Sequence, residues 1–241
     1  MSITCYEYLK ESLKINGDFV GAISFGNKIK MSKLMHDIDA IAAYFTQIGI
    51  GHGDTVTVFL PTTVHAFASF YALNKIGVIA NIVHPLTSPE GLAESIKMTN
   101  AKAVFILDIL AADYVDVVND LGIPCIICSN SDYVSFPVTT AIKVFEKVKA
   151  KGLDRFRNSV KYTKVISAGS GKDCVAFGDG EYTAVYLHGG GTTGKSKTIM
   201  LSSENINRLA EKLEPLDSPH TPGDECSLVV LPMFHAFGLA V

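Results

Sequence analysis

The sequence predicts an α/β protein with largely parallel sheets flanked by helices. Apolar runs such as "TVTVFLP", "KAVFILD" and "TAVYLH" alternate with segments of helical period, an order that gives a parallel sheet covered on both faces. Turn and cap residues punctuate the alternation. Composition supplies the core: 241 residues are 48% hydrophobic and 19% charged, enough for one large or two small units.

The elements follow in order. "DFVGAIS" reads as a strand, and Gly26-Asn27 turns it into "KIKMS" as a hairpin. Ser32 is expected to cap a helix over 32–49 with Leu34, Ile38, Ile41, Phe45 and Ile48 on one face. "TVTVFLP" is a strand, and 63–77 a helix with Val64, Phe67 and Tyr71 inward. "VIANIVHP" is a strand, and Ser88-Pro89-Glu90 pairs an N-cap with proline at the first helical position, opening a helix that ends about Asn100. "KAVFILD", a helix over 114–121 and the strand "CIICS" continue the alternation. Cys125 and Cys128 form a C-x-x-C, but positions i and i+3 of a strand face opposite ways, so they read as core residues and make a poor metal pair. "SAGSGKD" reads as a mobile loop.

Net charge is −3, without the clustered positive excess of a nucleic-acid binder. Residues 143–164 carry Lys143, Lys147, Lys149, Lys151, Arg155, Arg157, Lys161 and Lys164 against Glu146 and Asp154. Such a stretch could meet an anionic cofactor, although its ordinary meaning is a solvated face. No run approaches the ~18 apolar residues of a membrane span. Five scattered cysteines fit reduced thiols and a cytoplasmic protein.

"YLHGGGTTGKSKTIMLSS" concentrates the chemistry. Residues 189–196 satisfy G-x-x-x-x-G-K-S, a Walker phosphate loop, which joins a strand directly to a helix. Here "TIML" reads as a short second strand, helical period resumes only after Ser202-Ser203-Glu204-Asn205, and the downstream strand "CSLVVLP" ends in Leu231-Pro232 rather than in a magnesium-holding aspartate. Phosphate binding still suits the loop. Glycines bare their N–H groups to form an anion nest, threonines add hydroxyl donors and lysines add charge.

"GGGTTGKSKTIMLSSENI" resembles the phosphate-binding signature of the acyl-adenylate-forming (AMP-binding) superfamily, commonly written (S/T)-(S/G)-G-(S/T)-T-G-x-P-K-G. Gly191, Thr192, Thr193, Gly194 and Lys197 match it. "LPMFHAFG", residues 231–238, resembles the second signature, L-P-x-F-H-x-x-G, with His235 placed 43 positions after Thr192 (235 − 192). The resemblance extends over nearly the whole chain. It departs from the pattern at Ser196, where the family has proline, at Thr198, where it has glycine, and at Ser203, where it has histidine.

The resemblance implies the N-terminal portion of an acyl-CoA synthetase-like ligase. In the whole enzyme a carboxylic acid reacts with ATP, with Mg²⁺ as cofactor, to give an acyl-adenylate, and coenzyme A then takes the acyl group. Residues 55–203 would form a first sheet, and 1–54 with 204–241 part of a second. Gly190, Gly191, Thr192, Thr193, Gly194, Lys195 and Lys197 would bind the phosphates. His235 would act catalytically, and Phe234, His235, Phe237 and Gly238 would line the substrate pocket. The family's remaining signatures are absent from the chain, so the 241 residues alone are expected not to form acyl-adenylate. The departures keep a non-catalytic nucleotide- or acyl-binding relative open, and a Walker-type NTPase is the weaker alternative.

Overall fold

The structure, a computed structural model, describes residues 2–135, 137–142, 152–189, 197–213, 226 and 228–240. Seven described strands form one sheet. They are β3 (Thr55–Phe59), β4 (Ile79–Ile82), β5 (Val104–Leu107), β6 (Cys125–Cys128), β7 (Ser159–Lys161), β8 (Thr183–Gly189) and β9 (Lys197–Ser202). Their order is β7-β6-β5-β3-β4-β8-β9, and every neighbouring pair is parallel except β8 with β9.

The helices that connect the strands cover both faces. On one side lie α1 (Cys5–Asn16), α2 (Met31–Gln47), α3 (Val64–Lys75) and α7 (Tyr162–Gly169), sharing a core built on Leu34, Ile38, Phe45, Leu73 and Phe105. On the other lie α4 (Pro89–Thr99), α5 (Asp108–Ala111) and α6 (Val115–Leu121), closing over Phe59, Leu92, Ile106 and Val118. Strand β6 shows the two-residue alternation directly: Cys125 belongs to the second core and Cys128 to the first. Both thiols are fully buried, and burial pushes both pKa values up.

Local chemistry sets the boundaries. Thr4 and Glu7 form a capping box at α1, a helix the sequence reading passed over. Ser88 caps α4 by accepting the Gly91 N–H, with Pro89 at the first helical position and Asn100 left-handed at the end. The hairpin β1 (Val20–Ser24) to β2 (Asn27–Lys30) turns one residue earlier than expected, at Phe25 and Gly26, which both have positive φ. Ser32 does not cap α2. The helix opens at Met31, and Asp18 Oδ1, reaching over from the preceding loop, accepts the Ser32 N–H at 2.9 Å. Leu34, Ile38, Ile41 and Phe45 are buried as the period predicts, but Ile48 lies past the last turn and is exposed. Helix α3 is buried on more sides than one stripe allows. Ala68, Ala72 and Leu73 are its innermost apolar residues, Ala66 and Phe70 are buried with them, and Val64, Phe67 and Tyr71 are partly buried beside them.

Two expectations are corrected. "SAGSGKD" is not all loop, because residues 167–169 complete α7. A Cβ on Gly169 would lie 1.9 Å from the Ala40 carbonyl oxygen of α2, so glycine is there for close helix packing. Residues 228–231 form no strand: Leu228, Val229 and Val230 are exposed, and no described strand pairs with them. A strand needs a neighbour to take its backbone hydrogen bonds, and sequence pattern alone does not supply one. In the basic stretch, 143–151 lie outside the described residues, while Arg155 meets Asp116 at 3.0 Å on the exposed surface. The expected division into 55–203 and 1–54 plus 204–241 remains an expectation for the whole protein; here α1 and α2 share one core with the sheet. No helix among the described residues is long and apolar enough to cross a membrane.

Two outcomes follow from this packing. Gly169→Ala should lower stability by ~1–3 kcal/mol in urea unfolding through overpacking. Gly51→Ala, with nothing within 4 Å of its Cβ position, should stay within ~0.5 kcal/mol. In thiol labelling of the native protein, exposed Cys226 should react first and buried Cys125 and Cys128 only after unfolding. Labelling of Cys125 or Cys128 at the rate of Cys226 would contradict the two-sided burial of β6.

Candidate functional site

Parallel pairing brings the carboxyl ends of β3, β4 and β8 side by side. In open α/β sheets that edge is where ligands collect. Past β3 come Thr62 and Thr63, and Thr63 caps α3 by accepting the Ala66 N–H. Past β4 comes His84. The β4–β8 register pairs Ile82 with Leu187, and two further residues bring His84 level with Gly189.

Strands β8 and β9 form an antiparallel hairpin whose final pair is Gly189 with Lys197. The glycine segment therefore joins strand to strand. A Walker loop would open a helix near Lys195-Ser196, whereas β9 runs from Lys197 and the helix α8 (Ser203–Leu213) starts only at Ser203. Ser202 and Asn205 mark that start reciprocally: Asn205 Oδ1 accepts the Ser202 N–H and Ser202 Oγ accepts the Asn205 N–H. Gly190, Gly191, Thr192, Thr193, Gly194 and Lys195 lie outside the described residues. Lys197 is exposed at the mouth of the hairpin.

A polar network sits below that mouth. Asn81, fully buried in β4, donates to Thr57 Oγ1 of β3 and Ser95 Oγ of α4, each at 3.0 Å. Its Oδ1 lies 2.6 Å from His188 Nε2 on β8. Burial lowers the pKa of the His188 imidazole below its ordinary 6.5.

The second signature reaches the same edge. The Met233 N–H donates to Thr62 Oγ1 at 3.1 Å, tying the segment to the end of β3. The His235 N–H closes a turn onto the Pro232 carbonyl, and the short helix α9 (Ala236–Ala240) follows. The Phe234 ring meets His84 edge-on at 4.5 Å, and the His235 ring is 6.0 Å from His84. His235 is exposed rather than packed into the interior. Phe234 packs against the first core. A Cβ on Gly238 would lie 2.2 Å from the Pro232 carbonyl oxygen, so this glycine permits the fold-back of α9. The side chain of Phe237 lies outside what the structure describes. His84 Nδ1 accepts the Leu86 N–H at 3.1 Å, so the neutral ring carries its proton on Nε2, the nitrogen left to meet other groups.

Residues 10–241 match the family model described as AMP-binding enzyme. The chain belongs to that family. It is 26% identical over 228 residues to the long-chain-fatty-acid–CoA ligase of Haemophilus influenzae, covering 91% of this chain and 40% of that protein. It is 27% identical over 206 residues to 4-coumarate–CoA ligase 1 of Arabidopsis thaliana, covering 83% of this chain and 33% of that protein. The chain thus spans two-fifths or less of these curated relatives. Among solved structures, apo MatB from Rhodopseudomonas palustris superposes with a TM-score of 0.75 at 18% identity, covering 99% of this chain and 42% of that one. A long-chain-fatty-acid-CoA ligase from Archaeoglobus fulgidus gives 0.71 at 16% identity, covering 100% and 44%. At these identities the superpositions establish the fold: the chain folds like part of each of these two proteins.

For an AMP-binding chain, the sequence reading overlooked His84, Thr62, Asn81 and His188. A histidine at the carboxyl end of a buried strand was a usable signal for His84, since the edge position follows from a parallel sheet. Asn81 inside "VIANIVHP" was another, because a buried amide in a central strand demands partners. Among the described residues, no group of three or more His, Cys, Asp or Glu side chains is gathered to hold a metal ion. A cavity of 480 Å³, lined by Ser2, Glu204, Asn207 and Arg208 among others, lies toward the opposite edge of the sheet, beside the start of α8. Its Arg208–Glu204 pair is an i,i+4 ion pair within the surface helix, and ligands of open α/β sheets collect at the carboxyl edge instead.

Because His235 is exposed, His235→Ala should change stability by less than ~0.5 kcal/mol. A larger loss in denaturant unfolding would make His235 a packing residue.

Proposed function

We propose that the complete protein is an ATP-dependent acid–thiol ligase of the acyl-CoA synthetase type. One observation carries the reading: the mouth of the glycine hairpin, at Gly189 and Lys197, and the turn bearing His235 both lie at the carboxyl edge that holds His84. A phosphate chain held by the hairpin and an acid beside His235 would then share one cleft.

In the first step a carboxylate oxygen of the acid attacks the α-phosphorus of ATP, and the bond to pyrophosphate breaks. In the second, the thiol of coenzyme A attacks the acyl carbon, loses its proton and releases AMP. Negative charge shifts onto pyrophosphate in the first step, so donors placed there lower the barrier. Gly190, Gly191, Thr192, Thr193 and Gly194 would supply backbone and hydroxyl donors, and Lys195 and Lys197 would supply charge. Mg²⁺, when bound, would neutralise part of the phosphate charge. His235 can donate to a carboxylate or phosphate oxygen, with Phe234, Phe237 and Gly238 forming the wall beside it. An apolar acid suits that wall and agrees with the fatty and aromatic acids in the relatives' names. The free cysteines fit a reducing, cytoplasmic setting.

Acid-dependent exchange of pyrophosphate with ATP by the complete protein is the test. Thr193→Ala with Lys197→Ala should lower its rate by ~10²–10³ or more, and His235→Ala should also impair it, with acid binding weakened less. Unchanged exchange in the double variant would overturn the phosphate role. ATP binding without any exchange by the wild type would favour the non-catalytic alternative, to which Ser196 and Thr198 point.

A further inference from the structure

His188 is the last side chain on β8 before three glycines, and Thr198 stands opposite it on β9. Their pairing is the final cross-strand contact between side chains before Gly189 and Lys197, where the chain enters 190–196. Gly189 has no side chain to add to its backbone pairing with Lys197. The first side-chain pair that can add to that backbone pairing lies one residue below, at His188 and Thr198.

The ring of His188 meets three elements at once. Nε2 is 2.6 Å from Asn81 Oδ1 of β4 and 3.2 Å from Ser95 Oγ of α4. Nδ1 is 3.4 Å from Thr198 Oγ1 of β9. Asn81 turns its Nδ2 to Thr57 and Ser95, so its Oδ1 can only accept, and Nε2 must carry the proton. In the neutral ring Nδ1 is then free to accept from the Thr198 hydroxyl, whose other acceptor is Met98 Sδ at 3.9 Å.

We propose that His188 is a positioning residue. It locks the neck of the β8–β9 hairpin to β4 and α4, and so fixes the two strand ends from which the ligand-binding segment departs. This rests on the nucleotide reading of the hairpin for its functional consequence, but the lock itself does not need a ligand. It also makes the neck acid-sensitive. The groups bonded to the ring from β4, α4 and β9 are Asn81, Ser95 and Thr198, all neutral, and Thr57 of β3 reaches it only through Asn81. The charges on the packed elements, Glu90, Glu94 and Lys97 of α4 and Lys197 of β9, make no hydrogen bond to the ring among the described residues. Burial depresses the His188 pKa below 6.5. The sign follows: the neutral lock is complete above pH 6.5 and is lost as pH falls through the depressed value, because the unfolded chain takes up the proton more readily.

The test has two arms. In the first, amide hydrogen exchange of the ligand-free complete protein is followed at 186–189 and 197–200. His188→Leu should lower protection there by roughly 3- to 10-fold, the loss of one hydrogen bond, while His188→Gln, which keeps an N–H donor for Asn81, should retain it. Lowering the pH from 7.5 to 5.5 should reduce protection in the wild type after correction for intrinsic exchange, and should leave His188→Gln unaffected. Unchanged protection in His188→Leu, or an identical acid response in wild type and His188→Gln, overturns the lock. If His188→Leu does not fold, the comparison of wild type with His188→Gln decides alone. In the second arm ATP binding is measured. The lock predicts a weaker ATP affinity in His188→Leu and an acid-dependent loss in the wild type that His188→Gln lacks. A wild type that binds no ATP sinks the nucleotide reading, and the exchange arm still decides the lock.

Discussion

A single buried amide organises the edge where the site lies. Asn81 is fully enclosed on β4, between β3 and β8 in the sheet. A buried amide left without partners would cost about 1–3 kcal/mol, so its neighbours have to present hydroxyls and a ring nitrogen. Thr57, Ser95 and His188 do so from three different elements. Satisfying one side chain thereby fixes β3, β4, α4 and β8 in mutual register. An apolar residue at position 81 would pack as well but would align nothing in particular.

The rest of the sheet is held by non-directional burial. Strands β5 and β6 are apolar on every position because helices close over both faces. Such strands are strong but indifferent to rotation about their function. The polar residues concentrate at the carboxyl end of the sheet, where backbone groups leave the ladder, where Thr63 caps α3, and where Thr62 and His84 meet the chain that returns over 232–238. Scaffold and site are thus separated by the kind of interaction that builds each.

Close backbone approaches complete the separation. Gly169 lets α7 lie on α2 at the covered face, and Gly238 lets α9 turn back over Pro232 at the edge. One glycine serves packing and the other serves placement of the segment carrying His235. Their sequence surroundings, "SAGSGKD" and "HAFG", give no hint of which is which.

The sequence by itself determined the strand–helix alternation, the two-faced burial of Cys125 and Cys128, the strand after the glycines and the signatures that carry the family resemblance. Those depend on side-chain period, local capping and local backbone freedom, all of which are short-range. Tertiary structure alone decided that Asp18 rather than Ser32 meets the start of α2, that Ile48 stays outside, and that 228–231 find no partner strand among the described residues. It also decided that His84, Asn81 and His188 belong to the same edge as His235. Asn81 and His84 lie far in sequence from His188 and His235 and join them only when β4 pairs with β8 and the chain from Pro232 crosses the end of β3. Strand order and register are long-range choices, set by which apolar faces can be covered together, and no local pattern encodes them.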